Sequence, residues 1–301
     1  HSAHYYFRDN FRADSGLIAA LVVLEQLSVA GVPLSELRAP FERYADSGEI
    51  NTRVSDTAEV IERVAAHFAD LPQDRMDGLT VGAVCVYHDM VATAVETLAG
   101  TNIPVAAVST GFPAGLSPLP LRLAEIGESV RAGAEEIDIV ISRRHVLTGN
   151  WQALYDEMRA MREACGTAHV KAILATGELG TLRNVARASL VCMMAGADFI
   201  KTSTGKESVN ATLPVSLVMI RAIRDYYDRT GLRVGYKPAG GISKAKDALV
   251  YLALIKEELG NRWLRPDLFR FGASSLLGDI ERQLEHHVTG RYSASWRHAM
   301  A

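Results

Sequence analysis

Two lysines, Lys201 and Lys237, sit near the ends of two apolar stretches of the same design. These are Ala197-Asp198-Phe199-Ile200-Lys201-Thr202 and Arg233-Val234-Gly235-Tyr236-Lys237. Side chains alternate in direction along a strand, so Phe199, Lys201 and Ser203 share one face while Ile200 and Thr202 take the other. Burying an ammonium is costly, and a single strand lysine reads first as an ion-paired or snorkelling strut. Two lysines directed into one interior read differently. Each is expected to depress the other's pKa by repulsion and desolvation. An amine made neutral in this way can attack a carbonyl carbon and form a Schiff base. A carboxylate of matching design, Asp138, lies among β-branched residues in Glu135-Glu136-Ile137-Asp138-Ile139-Val140-Ile141. Asp138 could neutralise one lysine and shuttle a proton.

A third lysine, Lys171 in His169-Val170-Lys171-Ala172-Ile173, points the same way by alternation. It is read either as part of the proton network or as a purely structural partner. Cys85 is read as a packed thiol, with a place facing the same pocket as the alternative. The stretches ending at Lys201 and Lys237, and a third at Phe269-Arg270-Phe271, run into small-residue turns: Thr204-Gly205-Lys206, Ala239-Gly240-Gly241 and Gly272-Ala273-Ser274-Ser275. Glycines let backbone amides approach an anion, and Ser274 or Ser275 can open a helix whose N-terminus favours negative charge. Gly205, Lys206, Gly240, Gly241, Gly272, Ser274 and Ser275 are therefore the candidate phosphate-binding set. No His, Cys or carboxylate group has zinc-ligand spacing, so neither a metal nor a cofactor is implied.

The elements that must carry these residues alternate from Gly82 onward in the βαβ manner of a parallel sheet. Strands are predicted at Gly82–Tyr87, Pro104–Ser109, Glu136–Ser142, His169–Ala175, Asp198–Ser203, Arg233–Lys237 and Phe269–Gly272. Helices are predicted between and after them, at Met90–Ala99, Pro120–Ala132, Trp151–Ala164, Leu179–Ala195, Pro214–Arg229, Lys244–Leu259 and Leu276–His287. In an eight-stranded barrel, chemistry sits at the C-terminal ends of the strands, and phosphate often sits after the last of them. Lys201, Lys237 and Asp138 all lie toward strand ends.

Five motifs, in order, carry a family resemblance: Glu136-Ile137-Asp138-Ile139-Val140, Thr176-Gly177-Glu178-Leu179, Asp198-Phe199-Ile200-Lys201-Thr202-Ser203-Thr204-Gly205-Lys206, Lys237-Pro238-Ala239-Gly240-Gly241 and Phe271-Gly272-Ala273-Ser274-Ser275. From about residue 82 onward the chain resembles the deoxyribose-phosphate aldolases, which are class I aldolases. The resemblance implies an α/β fold, a (β/α)8 TIM-type barrel. It implies that Lys201 is the Schiff-base lysine and that Asp138 and Lys237 form the proton-relay pair. It also implies reversible cleavage of a phosphorylated sugar, 2-deoxy-D-ribose 5-phosphate, to acetaldehyde and D-glyceraldehyde 3-phosphate.

Residues 1 to about 80 have another character. Their motifs Ser2-Ala3-His4-Tyr5-Tyr6-Phe7-Arg8-Asp9, Ala13-Asp14-Ser15-Gly16 and Phe41-Glu42-Arg43-Tyr44 resemble a piece of the phosphomannomutase/phosphoglucomutase family. The mutase phosphoserine loop and Asp-x-Asp-x-Asp metal site have no counterpart here, so mutase chemistry is not expected. Helices are predicted near 17–27, 35–44 and 57–68. The division is drawn as 1–80, a small helical segment, and 81–301, the barrel. The barrel's usual first strand is missing from this division, and Asp77-Gly78-Leu79-Thr80 is a weak echo of it. An unfilled strand position leaves exposed edges. The expected occupants are a strand from 70–81, a partner subunit in a homo-oligomer, or nothing. Activity below that of an intact aldolase, an inactive chimeric barrel and a sugar-phosphate binding module are the readings that follow from such a gap.

The 301 residues carry a net charge of only −3, which suggests neither nucleic acid nor a membrane surface as partner. Cys85, Cys165 and Cys192 form no Cys-x-x-Cys pair, which fits a reducing cytoplasm. The apolar run Leu17–Leu24 is too short to span a bilayer. The chain opens on His1, read here as a cut boundary, and a flexible tail is expected after Gly290.

Overall fold

The structure is a computed structural model in which residues 80–291 are described. They belong to the second of the two units into which the chain divides, Leu79–Ala301. The helices expected at 17–27, 35–44 and 57–68, residues 77–79 of the first-strand echo and the tail beyond 291 lie outside the described residues.

Strands and helices alternate in the order β1 (Val84–Tyr87), α1 (Val91–Thr97), β2 (Val105–Ser109), α2 (Leu119–Arg131), β3 (Glu136–Val140) and α3 (Arg143–Leu147). The order continues with α4 (Trp151–Cys165), β4 (His169–Ile173), α5 (Leu182–Met194), β5 (Phe199–Lys201) and α6 (Leu213–Thr230). It ends with β6 (Gly235–Lys237), α7 (Ala245–Leu259) and α8 (Ser275–Thr289). The six strands are all parallel, and each pairs with its neighbour in sequence. This is the α/β winding of a TIM-type barrel.

Strands β2 to β6 bury both faces, as parallel strands in the middle of a covered sheet do, whereas β1 has no buried residue. One face carries Ile137, Ile139, Val170, Ala172, Ile200 and Tyr236, which pack against Leu154, Met158, Met161, Ile220 and Ile223 of the surrounding helices. Helix starts follow from local chemistry. Asn150, Thr181 and Thr212 accept hydrogen bonds from the third amide beyond them, at the heads of α4, α5 and α6. Cys165 and Cys192 are buried in the helix-side core, where burial raises the thiol pKa, to about 12 for Cys165.

The seventh predicted strand needs correction. Residues 269–272 run parallel to β6 but meet it only in two separate bridges, Tyr236 to Phe269 and Ala239 to Gly272. Arg270 donates to the Tyr236 carbonyl at 3.1 Å and Gly272 to the Pro238 carbonyl at 2.8 Å. The rung between these two would need an N–H at position 238, and proline has none. The register is kept and the ladder is cut by one residue. A short helix, α3, and a turn of 3-10 helix at Asn261–Trp263 also went unread in the sequence.

Candidate active site

Strand register assembles the interior charges. Asp138 of β3 pairs with Lys171 of β4, and Lys171 pairs with Phe199 of β5. Two residues further along, Lys201 pairs with Lys237 of β6. The side chains converge on Asp138, which has no exposed surface at all. Its Oδ2 accepts hydrogen bonds from Lys201 Nζ at 2.7 Å and from Lys237 Nζ at 2.8 Å. Its Oδ1 lies 3.3 Å from Lys171 Nζ. Lys171 is bound more closely by Glu136 Oε2, at 2.6 Å, and Arg270 Nη1 reaches the same oxygen at 2.7 Å. Lys171, Lys201, Lys237 and Glu136 are all buried.

Sequence reasoning brought Lys201, Lys237, Asp138 and Lys171 to one interior, and the structure joins all four. It missed Glu136 and Arg270. The signal for Glu136 was available, because a residue two positions before Asp138 shares its face. Arg270 carried no such signal, since its reach across to β3 depends on how the last segment lies.

The set holds four cations, Lys171, Lys201, Lys237 and Arg270, against two carboxylates, Asp138 and Glu136. Burial alone would raise Asp138, but the ammoniums of Lys201, Lys237 and Lys171 hold it well below the usual carboxylate range. Burial would likewise raise Glu136, and Lys171 and Arg270 pull it down instead. The two facing lysines do not depress one another equally, which corrects the symmetric expectation. Burial drives Lys201 below its ordinary value, and the Lys237 charge adds to this against the pull of Asp138. At Lys237, burial acts downward too, but attraction from Asp138, Cys85 and Glu136 wins and the pKa rises. Of these two amines, Lys201 is the one moved toward neutrality. Cys85 also departs from expectation. It alternates with Val86, which packs on the helix-side core, and it is exposed rather than packed. Its thiol is raised by desolvation and by Asp138.

The rim residues occupy the strand ends. Gly205, with φ +87°, and Gly240, with φ +80°, lie so close that a Cβ on Gly205 would be 3.8 Å from the Gly240 Cα. Both conformations are left-handed, which favours glycine at each position. The Gly240 amide is not free, because it donates to the Gly272 carbonyl at 3.3 Å. A side chain at Gly272 would strike Ala239, with the Lys237 stem close behind. Lys206, Gly241, Ser274 and Ser275 are exposed, and Ser274 precedes α8 without bonding its side chain to the helix. Glu207, which the sequence reading passed over, lies in the same rim. Its carboxylate accepts from the amides of Thr204, at 3.0 Å, and Gly205, at 3.2 Å. Among the described residues no cluster of His, Cys, Asp and Glu could hold a metal ion, and no helix is long and apolar enough to cross a membrane.

The segments that carry the shared carboxylate, the two strand lysines and the glycine turns all fall within a stretch that matches a known family. The model of the DeoC/LacD family aldolase matches residues 43–278. The chain belongs to the DeoC/LacD aldolase family. This aldolase, a carbon–carbon lyase, is 64% identical over 219 residues to the deoxyribose-phosphate aldolase of Homo sapiens, covering 72% of this chain and 69% of the human one. Two solved structures share its fold. The aldolase QR15 is 26% identical with a TM-score of 0.58, over 76% of this chain and 90% of QR15. The deoxyribose phosphate aldolase of Aeropyrum pernix, described as tetrameric, is 21% identical with a TM-score of 0.56, over 77% of this chain and 86% of that one. Residues 1–44 of the aldolase match a different model, the alpha/beta/alpha domain III of phosphoglucomutase/phosphomannomutase.

Proposed function

We propose that this aldolase cleaves 2-deoxy-D-ribose 5-phosphate reversibly to acetaldehyde and D-glyceraldehyde 3-phosphate, with Lys201 as the Schiff-base nucleophile. The observation that carries this reading is the single buried oxygen, Asp138 Oδ2, hydrogen-bonded to Lys201 at 2.7 Å and to Lys237 at 2.8 Å. The neutral Lys201 amine attacks the C1 aldehyde of the open-chain sugar, and loss of water gives a protonated imine. The C3 hydroxyl gives up its proton as the C2–C3 bond breaks, and the bonding pair flows into the iminium to form an enamine. Glyceraldehyde 3-phosphate leaves. The enamine is reprotonated at C2, and water hydrolyses the imine to release acetaldehyde. Asp138 and Lys237 are the pair suited to move these protons, with Lys171 holding Asp138 from the far side.

In the same reading Gly205, Lys206, Gly240, Gly241, Gly272, Ser274 and Ser275 receive the 5-phosphate. Support comes from their place at the ends of β5, β6 and the segment 269–272, with α8 beginning at Ser275. We infer further a two-part chain, 1–80 and 81–301, supported by the mutase-domain match at 1–44 and by the division of the chain into units at Gly78–Leu79. The aldolase match also reaches back to residue 43, so residues 43–80 are the piece to vary. Self-association fits the tetrameric Aeropyrum pernix relative, and a reducing cytoplasm fits three free thiols.

The test is to trap the imine with acetaldehyde and borohydride and map the product by mass spectrometry. The expected result is one added ethyl group on the peptide containing Lys201. An adduct confined to Lys237 would overturn the assignment.

A further inference from the structure

The turn after β5 already holds an anion of its own. Thr204 and Gly205 present two successive amides in a concave turn, the geometry that binds phosphate and carboxylate oxygens. Glu207 Oε1 and Oε2 both lie 3.0 Å from the Thr204 nitrogen, and Oε2 lies 3.2 Å from that of Gly205. The next amide, Lys206, donates to Thr204 Oγ1 at 3.1 Å. Each amide of the turn is thus satisfied from within the loop. We propose that Glu207 is a specificity-determining residue that occupies part of the phosphate site at rest and is displaced by the substrate's phosphate. The proposal rests on the phosphate reading given above.

The loop is built so that this exchange needs only a side-chain rotation. The Glu207 carbonyl is held by Asn210 Nδ2 at 2.9 Å, and Ala211 donates to the Ala239 carbonyl at 3.2 Å. These bonds hold the backbone at Glu207 and on its C-terminal side independently of the carboxylate. The neighbours Gly205, Lys206, Ser208 and Val209 are exposed, so the carboxylate has water to turn into. An incoming monocarboxylate would replace the Glu207 carboxylate like for like and gain nothing. A phosphate dianion brings more charge and a third oxygen, and Lys206, Ser274 and Ser275 lie on the same rim to meet it. Glu207 therefore sets a threshold that favours phosphate esters over weaker anions, at a cost in phosphate affinity.

The experiment compares the wild-type chain with Glu207→Gln and Glu207→Ala. The measurements are kcat and KM for 2-deoxyribose 5-phosphate, the same for unphosphorylated 2-deoxyribose, and inhibition of 2-deoxyribose cleavage by inorganic phosphate. Both variants are expected to lower the KM for the phosphorylated sugar and the inhibition constant for phosphate by about tenfold, equivalent to about 1.4 kcal/mol. Their KM for 2-deoxyribose should change much less than their KM for the phosphorylated sugar. If wild-type phosphate inhibits and both variants bind phosphate no better, the carboxylate only shapes the loop and the inference is overturned. If phosphate fails to inhibit even the wild-type chain and the two sugars share one KM, the phosphate reading falls first and this inference falls with it.

Discussion

The interior of the barrel and its rim handle charge in opposite ways. Inside, Asp138, Lys171, Lys201 and Lys237 stand on strands and their spacing follows from register. Water is excluded, so each charge is felt strongly by the next and pKa values move. At the rim, Gly205, Lys206 and Ser274 are exposed outside regular elements, Ser275 opens α8, and the local anion Glu207 is held by backbone amides. Its environment is wet and its charges are screened. The lesson is a division of labour. In the proposed function the interior is assigned the chemistry and the rim the anion that is held while it happens.

Substitutions inside should therefore damage turnover for every substrate. Lys201→Leu is expected to cost at least about a thousandfold in kcat with 2-deoxyribose 5-phosphate and with 2-deoxyribose alike, in the range seen for lost catalytic groups. A stopped or coupled cleavage assay reads both. Next comes Lys237→Leu, with a kcat loss of about a hundredfold or more, while circular dichroism and melting stay close to wild type.

The pH profile of that residual activity sharpens the point. In the wild-type chain the rate should rise with pH through the depressed Lys201 value and level off below 10.5, because the neutral amine attacks. Removing Lys237 deletes a charge that lowers Lys201, so the rising limb should move to higher pH. A limb that stays in place would mean Lys237 acts only as a relay.

Rim substitutions should do the reverse. Ser274→Asp or Ser275→Asp places a carboxylate where the dianion is proposed to sit, raising the KM for 2-deoxyribose 5-phosphate about tenfold. The KM for acetaldehyde in the synthetic direction should not move. Equal losses for both would erase the distinction between the two regions. The smallest effect is expected at the N-terminal piece. Replacing residues 1–81 with a complete first strand and helix from a family member should raise cleavage rate by a few-fold and melting temperature by about 4 °C per kcal/mol gained. If neither improves, the chain's own N-terminal residues already complete the barrel.

Much of this was legible in the sequence, for physical reasons that differ between the regions. Alternation along Asp198–Ser203 assigned Lys201 inward and Ile200 outward, and Ile200 does pack on the helices. The strand order followed from the βαβ alternation. The seventh strand was over-read because Pro238 removes a rung, an effect visible only once its partner segment is known. The unequal fates of Lys201 and Lys237 were not legible either. The Lys237 charge acts downward on Lys201 while Glu136 acts upward on Lys237, and no local pattern encodes that. Glu207 was missed for a related reason, since three residues of loop can place a carboxylate either outward or back on its own amides.

The bonds that define the interior also span unusual lengths of chain. Lys201 lies 63 residues from Asp138, Lys237 lies 99 from it, and Arg270 lies 134 from Glu136. Contacts so remote in sequence close late, after the loop-closure entropy of most of the chain has been met. During synthesis, β3 and β4 emerge with Glu136, Asp138 and Lys171 before the residues that balance them exist. A product truncated before Arg270 would hold Asp138 and the interior lysines together while Glu136 had lost one of its two cationic partners.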